Sequence, residues 1–223
     1  MRIEVKISLN PGLYLKNPQE SDLGRSIIEH SILMIDSIGF EAFTFKKLAL
    51  KIGSTEASIY RYFKNKHLLL VYLVSWYWEW VNYQIKINLL HLTDPTEKLK
   101  AVIKSFIFAA KENPSVWYVN ESILHDLVVA EGMKAYHTKK VDNENSKGFF
   151  DHYVRLIQRV SEIILEVNPR FAYPKTMATQ LFEMSTNHIY FSKHLPEITD
   201  SSLEDLDQEL EKMLLDFSQM LNR

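Results

Sequence analysis

Apolar residues return every three or four positions through most of this chain, a spacing that predicts helices almost from end to end. The first is predicted over residues 22–38. Leu23, Ile27, Ile28, Ile32, Ile35 and Ile38 share one face, and Ser21 or Asp22 can cap its start. Gly39 stands where a helix is released through the left-handed conformation, and Phe40 and Phe43 follow to pack back. A short second helix starts behind the hydroxyl cap Thr44, turns Phe45, Leu48, Ala49 and Ile52 inward, and ends at Gly53. A third starts at once behind Ser54 or Thr55, with Ile59 and Phe63 inward. Two helices joined through a tight glycine turn are the pattern of a helix-turn-helix.

A long fourth helix is predicted from Asn65 or Lys66 to about position 90. Asp94 caps the next, with Pro95 in its first turn, and Asn113-Pro114 breaks it. Residues 115–135 hold one or two helices, and the polar stretch 139–147 reads as a loop. Helical spacing resumes over 149–167, again over 174–194, and finally over 202–221. That last segment aligns Leu203, Leu206, Leu210, Met213, Leu214, Phe217 and Leu221 in one stripe. The expectation is an all-α chain of about nine helices. Residues 1–20 differ: Ile3, Val5, Ile7 and Leu9 alternate with charged or polar residues, Asn10-Pro11-Gly12 makes a turn, and Leu13-Tyr14-Leu15 follows. A small hairpin and an arm packed loosely on the first helix both fit.

The 223 residues, 46% of them hydrophobic, suffice for one large domain or two small ones. The absence of cysteine excludes disulfides, thiolate metal sites and cysteine nucleophiles. None of the eight histidines pairs with another at three- or four-residue spacing, so no metal site is expected. No GxSxG, Walker or GxGxxG string occurs; nothing points to an enzyme or to a cofactor. No run approaches the ~18 apolar residues of a membrane helix, and the N-terminus lacks the apolar core of a secretory signal, so a cytoplasmic protein is expected. Charge is unevenly placed: residues 1–70 hold ten basic and seven acidic side chains, and residues 71–223 sixteen and twenty-one. A mildly basic front and an acidic rear suit a DNA-binding head on a body that avoids DNA.

The stretch 39–70, GFEAFTFKKLALKIGSTEASIYRYFKNKHLLL, resembles the DNA-binding domain of TetR-family regulators. The matching positions are Gly39, Phe40, Thr44, Leu48, Ala49, Gly53, Ile59, Tyr60, Phe63, Lys64 and Lys66, and the resemblance spans about residues 22–70. It departs from the family's habit at Ser54, in place of an apolar turn residue, and at Glu56, in place of a basic or small one. The resemblance implies an N-terminal three-helix DNA-binding domain, residues 1–68 with the arm 1–20, and a larger C-terminal helical domain, 69–223, that binds a ligand and dimerises. The expected DNA-binding residues are Thr44, Thr55, Glu56, Ala57, Ser58, Tyr60, Tyr62 and Lys66. Thr44 can aim its hydroxyl and the helix N-terminus at a phosphate. Thr55, Glu56, Ala57 and Ser58 form the first turn of the recognition helix, facing base edges; Glu56 can accept from cytosine or simply complement the helix dipole. Tyr60 and Tyr62 are expected on the outer part of that helix, on phosphate or sugar, and Lys66 on a further phosphate.

In the rear domain Trp76, Trp80, Tyr83, Phe106, Trp117 and Tyr153 are candidates to line an aromatic ligand pocket, with ordinary helical core as the competing reading. The resemblance places a homodimer interface on the last two helices, which would set two recognition helices on a palindromic double-stranded DNA operator. Repressor is the expected role, with an unidentified small-molecule effector favouring the conformation that leaves DNA. A helical binding protein whose head has lost DNA affinity is the alternative, supported by Glu56 and the weak charge of the head.

Overall fold

The computed structural model describes residues 5–113, 116–201 and 204–218. Ile3, Pro114, Leu203 and Leu221, which figured in the expected pattern, lie outside the described residues. The described residues form eleven α-helices and three short 3-10 turns, and no strand. The α-helices are α1 (Asp22–Ala42), α2 (Phe45–Lys51), α3 (Glu56–Tyr60), α4 (Lys66–Asn88), α5 (Pro95–Ala109), α6 (Glu121–Glu131), α7 (Met133–Tyr136), α8 (Val141–Ser146), α9 (Asp151–Val167), α10 (Pro174–His194) and α11 (Leu206–Ser218). The all-α expectation holds, with two more helices than predicted.

Caps account for most of the boundaries. Ser21 accepts from the Gly24 N–H, Thr44 from Lys47, Thr55 from Ser58 and Asp94 from Glu97. Each satisfies one of the N–H groups a helix leaves open at its start. Asn65 does the same for Leu68 at the head of α4. At Gly39 the backbone turns to φ +76°, so α1 breaks where the glycine predicts and only one more turn follows. Residues 139–147 differ from the expected loop. A short helix, α8, forms there because Glu144 turns inward to His67, at 2.9 Å, while the Asn10 side chain donates to the carbonyls of Lys147 and Gly148 at its end.

Two compact units divide the chain, one of residues 1–79 and 112–152, the other of 80–111 and 153–223. In the first, α1 packs on α2 and α6, and α2 on α3. Every side chain of α4 from Leu69 to Trp78 is buried, so this helix shows apolar residues on all its faces. In the second unit α5, α10 and α11 pack on one another, with Phe106, Leu181, Phe182, Leu210 and Leu214 among the buried side chains.

The segment 5–20 is neither a hairpin nor a loose arm. It makes two 3-10 turns, Pro11–Leu13 and Pro18–Glu20, and buries Ile7, Leu9 and Leu13. The alternation read as a strand serves a single buried face, and the Gln19 amide supplies the pairing a second strand would have given. Ile7 N–H donates to Gln19 Oε1 at 3.1 Å, and Gln19 Nε2 donates to the Ile7 carbonyl at 2.6 Å. Where the segment meets α1, a Cβ on Gly24 would stand 2.2 Å from the Pro18 carbonyl oxygen. Gly24→Ala should therefore push the segment off α1 and cost about 1–3 kcal/mol in urea unfolding. Gly53→Ala meets no atom within 4 Å and carries only the strain of φ +62°, about 1–2 kcal/mol. A Gly24→Ala protein as stable as wild type would contradict this packing.

Candidate nucleic-acid interface

The sequence of the α2–α3 region places side chains by short-range rules. Phe45, Leu48, Ala49, Ile59 and Phe63 are buried, which turns the opposite edges of both helices outward. Thr44, Thr55, Ala57 and Tyr60 are exposed, while Glu56 and Ser58 are half-buried in the first turn of α3. The Thr55 and Ser58 hydroxyls bond each other at 2.8 Å, and Thr55 Oγ1 also accepts from the Ser58 N–H. The Tyr60 ring rests edge-on against Phe45, centroids 5.1 Å apart, and stays 46% exposed. Its hydroxyl is thus carried on an anchored ring at the outer edge of α3. Around this edge Lys46, Lys51, Arg61 and Lys64 are exposed cations that complement a phosphate backbone. Those on α2 were legible in the sequence as basic positions flanking Leu48, but had not been singled out.

Two expected contacts take other places. The Tyr62 ring is 4% exposed, and its hydroxyl pairs with Ser21 Oγ at 2.8 Å, so it does not stand on the outer part of the recognition helix. The helix ends at Tyr60, and the chain beyond it turns inward with Phe63. The Lys66 ammonium donates to the carbonyls of Phe40, Glu41 and Phe43 at 2.9, 3.0 and 3.3 Å and lies 4.7 Å from the centre of the Phe40 ring. Three carbonyls match the three N–H donors of an ammonium, so Lys66 holds the turn between α1 and α2 together.

The six aromatic candidates do not share one unit. Trp76 and Trp117 belong to the first, and Trp80, Tyr83, Phe106 and Tyr153 to the second. In the second unit Trp80 stacks on Tyr83 at 5.6 Å, Phe106 meets Phe182 edge-on at 5.4 Å, and the half-buried Tyr153 donates to Glu183 at 2.7 Å. Trp76, Trp80 and Phe106 are buried among other side chains. In the first unit Trp117 is half-exposed and lines a hollow of about 410 Å³ with Glu29, Ile32, Leu33 and Asn120. No group of three or more potential metal ligands gathers among the described residues.

A three-helix head with exposed hydroxyls, cations and an outward tyrosine on adjoining helix edges has the arrangement of a helix-turn-helix domain. Residues 27–73 match the family of bacterial regulatory proteins, tetR family. Over these residues the head is similar to the DNA-binding domain of that family. The fold of the chain is similar to that of AibR, solved in complex with isovaleryl coenzyme A and operator DNA: 17% identity, 86% of this chain and 97% of that one, TM-score 0.62. The ketosteroid transcriptional regulator KstR2 of Mycobacterium tuberculosis is similar over 91% of this chain and 98% of its own at 11% identity, TM-score 0.62. The fatty acid degradation regulator FadR from Bacillus halodurans is similar over 85% and 96% at 20% identity, TM-score 0.59. No curated protein sequence matches the chain. Among the described residues no helix is long and apolar enough to cross a membrane.

One carboxylate of the first unit is electrostatically unusual. Glu121, at the start of α6, is fully buried; it accepts the Asn113 N–H at 2.9 Å, but burial outweighs that and pushes its carboxyl up to about 7 from an ordinary 4.5. The folded state therefore holds this proton more tightly than the unfolded chain. Stability falls as pH rises from about 4.5 to 7, by a few kcal/mol in all. Glu121→Gln should flatten that part of the profile; melting curves at half-unit steps from pH 4.5 to 7.5 that overlay those of wild type would refute it.

Proposed function

We propose that the chain is a ligand-responsive repressor that binds a palindromic operator as a homodimer. In this reading residues 1–68 read DNA, and residues 69–223 dimerise and hold the effector. The observation that carries it is the coincidence of the family match, 27–73, with the exposed edge of α2 and α3. Thr55, Glu56, Ala57 and Ser58 face the bases, Thr44 and Tyr60 the phosphates, and Lys46, Lys51, Arg61 and Lys64 add charge. Tyr62 and Lys66 serve as internal supports of the same head. The effector is a small molecule whose apolar part meets the aromatic side chains of the second unit. AibR, captured with both isovaleryl coenzyme A and operator DNA, shows that a protein of this fold takes both kinds of partner. A ligand of this kind shifts binding only by its difference in affinity for the DNA-competent and DNA-free conformations.

DNA from upstream of the chain's own gene is the first probe, in a mobility-shift experiment at two salt concentrations. A sequence-preferring complex that weakens steeply with salt is expected, since binding releases cations condensed on the phosphates and added salt makes that release less favourable. Tyr60→Phe keeps the ring on Phe45 and loses one hydroxyl; it should weaken the complex roughly two- to tenfold. Absence of any sequence preference at either salt would favour the alternative, a binding protein whose head no longer reads DNA.

The dimer is proposed on α10 and α11. Met177, Met184 and Phe191 recur at seven-residue spacing along α10 and are only half-buried, and Leu195 and Ile198 beyond its end are exposed. On α11 Leu206, Leu210 and Leu214 are buried within the chain itself, which leaves Met213 and Phe217 partly open. A second copy would cover this face. Sedimentation of a Met184→Asp, Phe191→Asp protein should show monomer at concentrations where wild type is dimeric. Monomeric wild type, or an unchanged dimer in the variant, would rule this face out.

A further inference from the structure

We infer that the segment 5–20 is an internal strap that positions the recognition helix, with Gln19 as its hub and Tyr62 as the point where it grips. The inference rests on the proposed reading of DNA by α3. Tyr62 lies just beyond α3, after its C-cap Arg61, and is held at three places. Its carbonyl accepts from Leu15 N–H at 2.7 Å, its hydroxyl pairs with Ser21 Oγ at 2.8 Å, and Lys16 lies 5.3 Å from the centre of its ring. All three partners belong to the strap or to the cap that follows it.

The strap is fastened in turn to parts of the first unit far from α3 in sequence. Gln19 Oε1 accepts from Tyr118 Oη at 3.0 Å as well as from Ile7 N–H, and the Gln19 carbonyl accepts from Arg25 at 2.7 Å. Asn10 Nδ2 donates to the carbonyls of Lys147 and Gly148 at 2.9 and 3.0 Å, where the chain leaves α8. Tyr14 meets Tyr72 of α4 edge-on at 6.1 Å, and Leu13 is fully buried. Gly12 and Gly24 let the strap approach closely: a Cβ would stand 2.8 Å from the Phe149 ring at the first and 2.2 Å from the Pro18 carbonyl at the second. The end of α3 is thereby tied to Tyr118 and to residues 147–149 by a path that does not run along α4. A five-residue helix has little rigidity of its own, so its angle is set by what holds its ends. The side chains of the strap need not touch DNA to decide how well α3 fits a groove.

The test compares full-length wild type with Gln19→Ala, Asn10→Ala and Tyr62→Phe, on operator DNA and on unrelated DNA at the same salt. A positioning role leaves the exposed cations in place. Affinity for unrelated DNA should stay within about twofold, while preference for the operator falls roughly three- to thirtyfold in Gln19→Ala and less in the other two. A variant that merely folds less well would lose both affinities in the same proportion. A Tyr62→Phe protein that loses affinity for all DNA alike, with a shallower salt dependence, would make Tyr62 a phosphate contact and overturn the inference. Amide hydrogen exchange gives a readout that needs no DNA. Residues 59–63 should exchange faster in Gln19→Ala and in the partly exposed Asn10→Ala, while α5 and α10 keep their protection. Unchanged exchange at 59–63 in both would overturn the strap even if the protein binds an operator. Sequence-blind binding by wild type with faster exchange in the variants would keep the strap and defeat only the DNA reading.

Discussion

Ten consecutive residues of α4, Leu69–Trp78, are shielded from water on every side, with Tyr14, Phe63, His125, Tyr136 and Phe149 among the residues that meet them. A helix with Leu, Val, Tyr and Trp around its whole circumference cannot lie on a surface, so each neighbour must bring an apolar face to it. Its polar atoms then need partners from those neighbours. Ser75 donates to the Phe149 carbonyl, His67 pairs with Glu144, and the Tyr77 ring meets His125 edge-on. These demands explain why the polar stretch after Thr138 winds into a helix, and why an N-terminal segment of unremarkable composition is held in place.

The DNA-binding head obeys a different constraint, that of small size. Helices of seven and five residues are too short to be stable in isolation. Each depends on a cap, a buried pair and a fixed end. Thr44 and Thr55 supply the caps, Leu48 with Ile59 the burial, and Gly39 the reversal that lets α2 start. Lys66 gathers the open carbonyls at the end of α1, and Glu131 of α6 accepts from the Phe40 N–H beside them. On the exposed edge that remains, Tyr60 is anchored on Phe45.

Local signals are readable in a chain without its fold because they act over three or four residues. The periods of Ile27–Ile35 and Leu206–Leu214, the hydroxyl caps, Pro95 and the positive-φ glycines Gly39 and Gly53 all belong to that class, and so does the helix-turn-helix with its family resemblance. Thr44, Thr55, Ala57 and Tyr60 were placed outward by the same logic: in a short helix the buried positions leave the rest no choice. Tertiary contacts decided what lay beyond that range. Tyr62 and Tyr60 look alike in sequence, yet one ring is buried on a serine forty-one residues away and the other stands in solvent. The Lys66 ammonium is satisfied by carbonyls more than twenty residues upstream, and the strap closes through bonds between residues 99 and 137 positions apart. No periodicity encodes such pairs, because a side chain finds a distant partner only after burial has brought the two elements together.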